Sequence, residues 1–600
     1  MRIFYAVVVL ALLVSMASPA TVLAGQTVQK LPVSAVKLNG LDTLRGYAEY
    51  YGYLHEGVGG DYAVVDTSGF WSWQDYPLPL PDAEPVEVPV AVNEEFIEWA
   101  PKRVNITIPG GEWSRIMLKI EGRLYDPVYG RPVQYDRVLW IYVNDVPVFW
   151  GSTPQRYNWT VTADVTIFYS LFKGQVEVEI WLPNVIAPSI GVTGRFLLNV
   201  TLLFYPGEKP ENLPDLVLPL WKREVLKKNV PTKSFTVEVP SNATRAVLLM
   251  YTKGNGYDEF WYYYGDLYRE VRVYFDDNLV ALVHPMHTIY TGGMSPYLWR
   301  PLPAVRAYAE EPTLVDLTGA LPLIVGERNV TLEMKGIYGG YWQIGVALLL
   351  WTTDKQVEYE LVDYESIPAQ SVEVVSEDTY TLVKAYSSYS LVAVSRLIIG
   401  DNVVEATSRY EASFTAERRY NDFYDNLTLN EYRVSALEFR VVSGSDYESF
   451  TWSYEWTAPL DIKYYGTIEV YGDLSQATVE NPVPGAIVEY IAVSQRLRTV
   501  TTVEDSGGSH VRVVDEPVYG RVKWDIELLF IAPTAAVVTG VGYANAYTGK
   551  VCHGMLSDFE VGGEWKLWEY TRLTVGSTYI SSTMQSLYNI VYDSLSYRYI

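Results

Sequence analysis

Three carboxylates in this chain stand beside groups able to tune them. Asp136 lies between Tyr135 and Arg137, Glu179 shares a strand face with Trp181 in the run Gln175–Leu182, and Glu270 follows Arg269 and shares a face with Arg272. An aromatic wall raises a carboxyl's pKa by desolvation and a neighbouring guanidinium lowers it, so such a set can divide acid and base roles. Taken singly each acid is bland, because acidic side chains on the polar face of a strand are usually solvated. Other chemistries are poorly supplied. The five histidines are scattered, and the closest pair, His284 and His287, falls on opposite faces of a strand, so no metal site is expected. Gly293-Met294-Ser295-Pro296-Tyr297 lacks the second glycine of a nucleophile elbow. No phosphate loop or dinucleotide fingerprint occurs, and no cofactor is expected.

The elements that must hold these acids read as strands. Ile116, Leu118 and Ile120 alternate, as do Val138, Trp140 and Tyr142, which lead into a hairpin signal at Asn144-Asp145. In the Gln175–Leu182 run, Val176, Val178 and Ile180 make the apolar face and leave Glu177, Glu179 and Trp181 on the other. Around Glu270 the same alternation puts Arg272 and Tyr274 on its side and Val271, Val273 and Phe275 opposite. The stretch Ile344–Trp351 is almost continuously apolar, which predicts a strand buried on both faces. The proline-rich segment 206–219 reads as a linker between a first block, 25–205, and a second, 220–352. From 353 to 600 further strands are expected, among them Tyr380–Ala385 and Leu391–Ile399, with one helix on Met584, Leu587, Tyr588, Val591 and Leu595. An all-β protein of sandwiches or jelly rolls is the economical reading.

Composition narrows the setting. A formal charge of −25 over 600 residues repels phosphate backbones, so nucleic acid is not an expected partner. The single cysteine, Cys552, excludes an internal disulfide. Residues 1–24 carry one positive charge, an apolar run from Ile3 to Val14 and small residues before Gly25, the pattern of a secretory signal peptide. No later stretch has the length of a transmembrane helix. An exported protein, secreted or at the cell surface, is expected, and six Asn-x-Ser/Thr sequons suit that setting. The aromatic content of 14% favours strands and offers stacking surfaces for sugars.

A resemblance adds to this reading. The segment Gln134-Tyr135-Asp136-Arg137-Val138, followed by Ser152-Thr153, Trp159 and Asp164-Val165-Thr166, resembles the first signature of the A-type peptide N-glycanases, the peptide-N4-(N-acetyl-β-glucosaminyl)asparagine amidases. A second signature is similar too: Asp258-Glu259-Phe260-Trp261-Tyr262, Arg269-Glu270-Val271, Thr291-Gly292-Gly293, Pro296 and Leu298-Trp299-Arg300-Pro301, in that order. The resemblance covers about residues 90 to 350. Two departures stand out. Asn255 occupies a position where the family usually has histidine, and Ser152-Thr153-Pro154-Gln155 replaces Ser-Thr-x-Glu-Pro.

The resemblance implies two adjacent jelly-roll domains with a cleft between them, and N-glycosylated peptides or glycoproteins as substrate; the strands from 353 onward read as a further β-rich C-terminal domain. It implies Asp136 positioning or deprotonating the attacking water, Arg137 stabilising developing negative charge, and Glu270 holding the amide or its leaving nitrogen. Glu179 and Trp181 bind the first N-acetylglucosamine, with Asp258, Glu259, Trp261 and Trp299 as further substrate-binding residues. Trp261, Tyr262, Tyr263 and Trp299 read equally well as core aromatics of a sandwich. A carboxylate-based glycoside hydrolase or a non-catalytic glycan-binding or structural β-protein stays open on the residues alone.

Overall fold

The computed structural model describes residues 28–31, 38–39 and 81–580, with interruptions at 128–133, 135–136, 154–157, 191, 211–212, 263–264, 266, 286–309, 311, 401, 422–423, 444–445, 479, 506–507, 533–534, 554–558 and 564–570. The leader segment 1–24, the helix expected near Met584, and Asp136, Tyr263, His287 and Trp299 lie outside the described residues. Two short strands come first, β1 (Val28–Leu31) and β2 (Leu38–Asn39).

Eight strands then make a first sandwich: β3 (Val86–Phe96), β4 (Lys102–Thr107), β5 (Trp113–Tyr125), β6 (Val138–Val143), β7 (Val146–Ser152), β8 (Asn158–Asp164), β9 (Gln175–Trp181) and β10 (Arg195–Pro206). They pair as β3-β10-β5-β8 and β4-β9-β6-β7. The first strand thus lies beside the last and the second beside the second-last, the nested order of a jelly roll. The alternation read from sequence sets which side faces in. Ile116, Leu118 and Ile120 from one sheet and Val176, Val178 and Ile180 from the other meet in one core. At the β6–β7 hairpin, Asn144 and Asp145 both take positive φ, 47° and 66°, as the expected Asn-Asp turn requires.

The second sandwich repeats the plan with β11 (Leu216–Lys227), β12 (Thr232–Val239), β13 (Ala243–Asn255), β14 (Glu270–Phe275), β15 (Asn278–Val283), β16 (Thr313–Asp316), β17 (Gly326–Lys335) and β18 (Tyr341–Thr352). Its sheets run β11-β18-β13-β16 and β12-β17-β14-β15. The segment expected as a linker is partly strand: β10 ends at Pro206, β11 starts at Leu216, and Pro219 sits inside β11. Among the described residues β11 pairs only with β18, and an edge strand tolerates a residue with no N–H to donate. β18 is buried on both sides. Trp342, Ile344, Val346, Leu348 and Leu350 belong to the core of the second sandwich, while Ala347 and Leu349 pack into that of the first.

Beyond β18 the described residues form one antiparallel sheet of thirteen strands. It begins with β19 (Val357–Ser376), β20 (Thr381–Ile399), β21 (Asn402–Tyr420) and β22 (Tyr424–Ser443), continues through β23 to β29 between Asp446 and Ile580, and includes β1 and β2. The two strands expected at Tyr380–Ala385 and Leu391–Ile399 are a single one, β20. The polar interval between them keeps the period: Val383, Ala385, Ser387, Tyr389, Leu391 and Ala393 are all buried on one face.

Buried polar groups tie this sheet to the second sandwich. The Ser408 hydroxyl donates to Asp316 Oδ1 at 2.6 Å and accepts from Gly319 N–H at 2.8 Å. Asp316 N–H donates to Ser435 Oγ at 2.8 Å, and the Tyr364 and Tyr389 hydroxyls both donate to the Leu279 carbonyl. Between these contacts His284 is fully buried against Phe414, ring centroids 5.5 Å apart, with neither ring nitrogen hydrogen-bonded. Burial, then the charges of Arg433 and Arg272, push its pKa down to about 3. The folded protein therefore binds fewer protons than the unfolded chain between pH 3 and about 6.5, and stability contributed by neutral His284 is lost as pH falls through that window. In His284→Phe that loss disappears. Between pH 7 and pH 4 the parent loses about 3 kcal/mol that the variant keeps, which thermal melts at the two pH values measure.

Candidate active site

β9 carries Glu177, Glu179 and Trp181 on its outward face because the alternating valines and isoleucine turn inward. That face meets the second sandwich. Glu179 is 3% exposed, and its Oε2 accepts from Arg103 Nε at 2.7 Å and from Lys222 Nζ, across the seam, at 2.9 Å. Both cations use the same oxygen, which leaves Oε1 for a ligand's donor. Lys222 also reaches Asp145 Oδ1 at 2.5 Å and lies 5.2 Å over the Tyr142 ring. Two residues along β9, Trp181 lies under the Arg223 guanidinium at 3.7 Å.

The β9–β6–β7 register brings Trp181, Trp140 and Trp150 into one row. Trp140 stacks on Trp150 at 4.1 Å, and Trp150 stacks in turn on Tyr251 of β13 at 5.6 Å. The seam between the sandwiches is thus an aromatic row with a carboxylate at one end. Beside β6, Arg137 Nη2 donates to Gln134 Oε1 at 2.6 Å and Arg137 N–H to Thr153 Oγ1 at 2.9 Å. Gln134 is 1% exposed, and its amide donates to the carbonyls of Val185 and Gly194 at 3.0 and 3.1 Å. Both neighbours of the Tyr135-Asp136 pair are therefore anchored.

The structure does not bring Glu270 to this seam. Val271, Val273 and Phe275 fill the core of the second sandwich, so Glu270 and Arg272 project from the far side. There Arg272 Nη2 approaches Glu270 Oε2 to 2.7 Å and Ser387 of β20 donates to Oε1 at 2.5 Å. The second sandwich itself, about 10 Å between its sheets, separates Glu270 from Glu179. Period-2 reasoning placed Glu270 on a polar face correctly but could not say what covers that face.

Asp258 also departs from the substrate-binding expectation. It is fully buried in the 3-10 turn Gly256–Phe260 and accepts from Arg269 Nε at 2.8 Å and from the N–H groups of Tyr338, Gly339 and Gly340 at 3.1, 3.1 and 2.7 Å. Burial alone would raise its pKa, but Arg269 and those three donors hold the carboxyl below its ordinary range. Its oxygens have no capacity left for a sugar. Trp261, 2% exposed, and Tyr262 belong to the core of the second sandwich, the alternative their aromatic character left open. Glu259, the next residue after Asp258, is half-buried and remains accessible.

Three groups at the seam have no counterpart in the sequence reading. Lys222 and Arg223 follow a core tryptophan and look like ordinary strand charges. Glu310 is 5% exposed; its N–H donates to the Trp150 carbonyl at 2.8 Å, its Oε1 accepts from Lys253 Nζ at 3.0 Å, and burial raises its pKa against the pull of Lys253. Nothing in the sequence separates Glu310 from the adjacent Glu311. Among the described residues no group of three His, Cys, Asp or Glu could hold a metal ion, and no helix is long and apolar enough to cross a membrane.

Residues 96–359, which include all the seam residues above, match the profile of the family described as peptide N-acetyl-beta-D-glucosaminyl asparaginase amidase A. A curated relative, the peptide-N4-(N-acetyl-beta-glucosaminyl)asparagine amidase A of Prunus dulcis, is 29% identical over 291 residues, covering 39% of this chain and 49% of that protein. The match thus spans about half of the relative's length. Among solved structures, a peptide-N(4)-(N-acetyl-beta-D-glucosaminyl) asparagine amidase covers 45% of this chain and 97% of its own at 14% identity and a TM-score of 0.34. The glycosylasparaginase PNGase F of Flavobacterium meningosepticum covers 45% of this chain and 96% of its own at 14% identity and 0.32. Superpositions at that level carry no argument. What carries weight is the profile match over residues 96–359 together with the Prunus relative: over that stretch the chain is similar to the peptide N-acetyl-beta-D-glucosaminyl asparaginase amidase A family.

Proposed function

We propose that the chain is an exported amidase that hydrolyses the bond joining an N-linked glycan to asparagine, converting the asparagine to aspartate and freeing the glycan. The observation that carries this reading is the pairing of Glu179 and Trp181 on one strand face at the seam of two sandwiches, inside a domain of this family. A carboxylate beside an indole suits an N-acetylhexosamine: the indole stacks on the sugar's apolar face, and Glu179 Oε1 accepts from an O–H or N–H.

The reaction needs an activated water, a stabilised oxyanion and a proton for the departing glycosylamine. Asp136 activates the water and Arg137 supports the oxyanion. The test is incubation of the purified protein with a defined N-glycopeptide in H2(18)O, followed by the mass of the peptide. An aspartate carrying one heavy oxygen, with the whole glycan gone, is the expected product. A peptide keeping one sugar means cleavage between sugars instead, and an intact peptide across pH and temperature removes catalysis.

A further inference from the structure

We propose that Arg223 is a positioning residue for Trp181, carried across the seam on a β-bulge that also delivers Lys222 to Glu179. This rests on the reading above, in which Trp181 and Glu179 hold the first N-acetylglucosamine.

The argument starts from register. β11 pairs with β18 so that Trp221 lies opposite Val346 and Glu224 opposite Ile344, leaving Lys222 and Arg223 together against the single residue Gly345. Two residues against one is a bulge, which re-aims side chains that a regular strand would send to opposite faces. Here both point to the first sandwich: Lys222 Nζ is 2.9 Å from Glu179 Oε2, and the Arg223 guanidinium is 3.7 Å from the Trp181 ring centre. Their targets are two apart on β9 and share a face, about 7 Å of strand. Adjacent residues on a regular strand could not serve both.

Gly345 is part of the device. A Cβ there would come 2.8 Å from the Trp150 ring and 3.1 Å from the Lys222 carbonyl, so a side chain would push the aromatic row away from the bulge.

What distinguishes Arg223 from a strut joining two domains is its bonding. Among the described residues no carboxylate holds it in an ion pair, and its Nη1 is buried without a hydrogen-bond partner. Its guanidinium lies over the faces of Trp181 at 3.7 Å and Trp140 at 5.8 Å, beside the Tyr142 hydroxyl. A guanidinium on one face of Trp181 fixes the indole plane and leaves the other face for a sugar ring. The unpaired N–H is then a donor that a sugar oxygen would satisfy.

The experiment compares the full-length protein with Arg223→Met, which keeps bulk and loses the cation, and Arg223→Lys, which keeps the charge. N,N′-diacetylchitobiose binding is measured by calorimetry, and KM and kcat are measured on an N-glycopeptide. Expected are a sugar affinity about tenfold weaker in Arg223→Met, a KM raised in proportion, a kcat within about twofold of the parent and partial recovery in Arg223→Lys. Gly345→Ala should reproduce the KM effect from the opposite strand. Unchanged sugar affinity in Arg223→Met, or a fall in kcat and thermal stability with KM constant, would make Arg223 a structural strut and overturn the proposal. A parent protein that binds the sugar but turns over no glycopeptide defeats the amidase reading alone. One that binds no sugar defeats this proposal as well.

Discussion

Protein carrying Asp136→Ala releases glycan from a defined N-glycopeptide more slowly than the parent by a factor on the order of 10²–10⁴, the range for losing a positioned acid or base, and its melting temperature is unchanged. Both halves of that result have physical grounds. Water is a poor nucleophile towards an amide, and in the proposed mechanism no other group removes its proton. The fold survives because the anchored groups are the two flanking residues and not Asp136. Gln134 is tied to Val185 and Gly194, and Arg137 to Gln134 and Thr153. Progress curves with equal concentrations of both proteins, read by the mass of the peptide, check the rate, and calorimetry checks the fold. A variant keeping more than a tenth of the parent rate would mean that the water is activated by a different group.

Asp258→Ala does the opposite: it destabilises the protein by about 3–5 kcal/mol, the usual cost of stripping one partner from a buried ion pair. Arg269 is itself fully buried, so its charge would lose its counter-ion with no water to replace it. The N–H groups of Tyr338, Gly339 and Gly340 lose their acceptor in the same step. The pH dependence follows from the depressed carboxyl. Its contribution is fully present above the ordinary aspartate pKa of about 4 and is lost only as pH falls through the lower folded value. Denaturant melts at pH 7 and pH 3 should therefore show a large gap between parent and variant at neutral pH that narrows under acid. Below its lowered melting temperature, the variant should retain the parent's KM, because Asp258 has no free oxygen to offer a substrate.

The strands were legible wherever a single period persisted. The alternation in β5, β9 and β14 fixed which residues face inward, and the unbroken apolar run of β18 announced burial on both faces. Less was legible where the outcome depended on what packs against a polar face. Glu179 and Glu270 look alike in sequence, each on the polar side of an alternating strand. One is covered by the bulge of β11 and the other by Ser387 of the C-terminal sheet. Period 2 cannot tell these apart, because the covering residues lie 43 and 117 positions away in the chain. The surroundings of Asp258 were illegible for a related reason: the three N–H groups of 338–340 that close on it lie some 80 positions away in the chain. In β20 the interval Tyr386–Ser390 hid a continuous strand, because a serine at a buried position, Ser387, disguises the apolar face.

The double membership of β18 has a consequence for synthesis. In each sandwich the opening strand pairs with the closing one, so β11 finds its only sheet neighbour when Tyr341–Thr352 has been made. The first sandwich can close its own sheets much earlier, at β10, yet Ala347 and Leu349 complete its apolar contacts from the far end of the second. A ribosome-bound chain halted before residue 341 would therefore hold one closed sandwich with an unfilled apolar seat, followed by a second in which β11 has no sheet partner and β13 lacks its β18 neighbour. Loop closure over such distances is slow. The vulnerable interval in this protein's production thus falls before β18 emerges, and holding chaperones or low temperature should raise yield most at that stage.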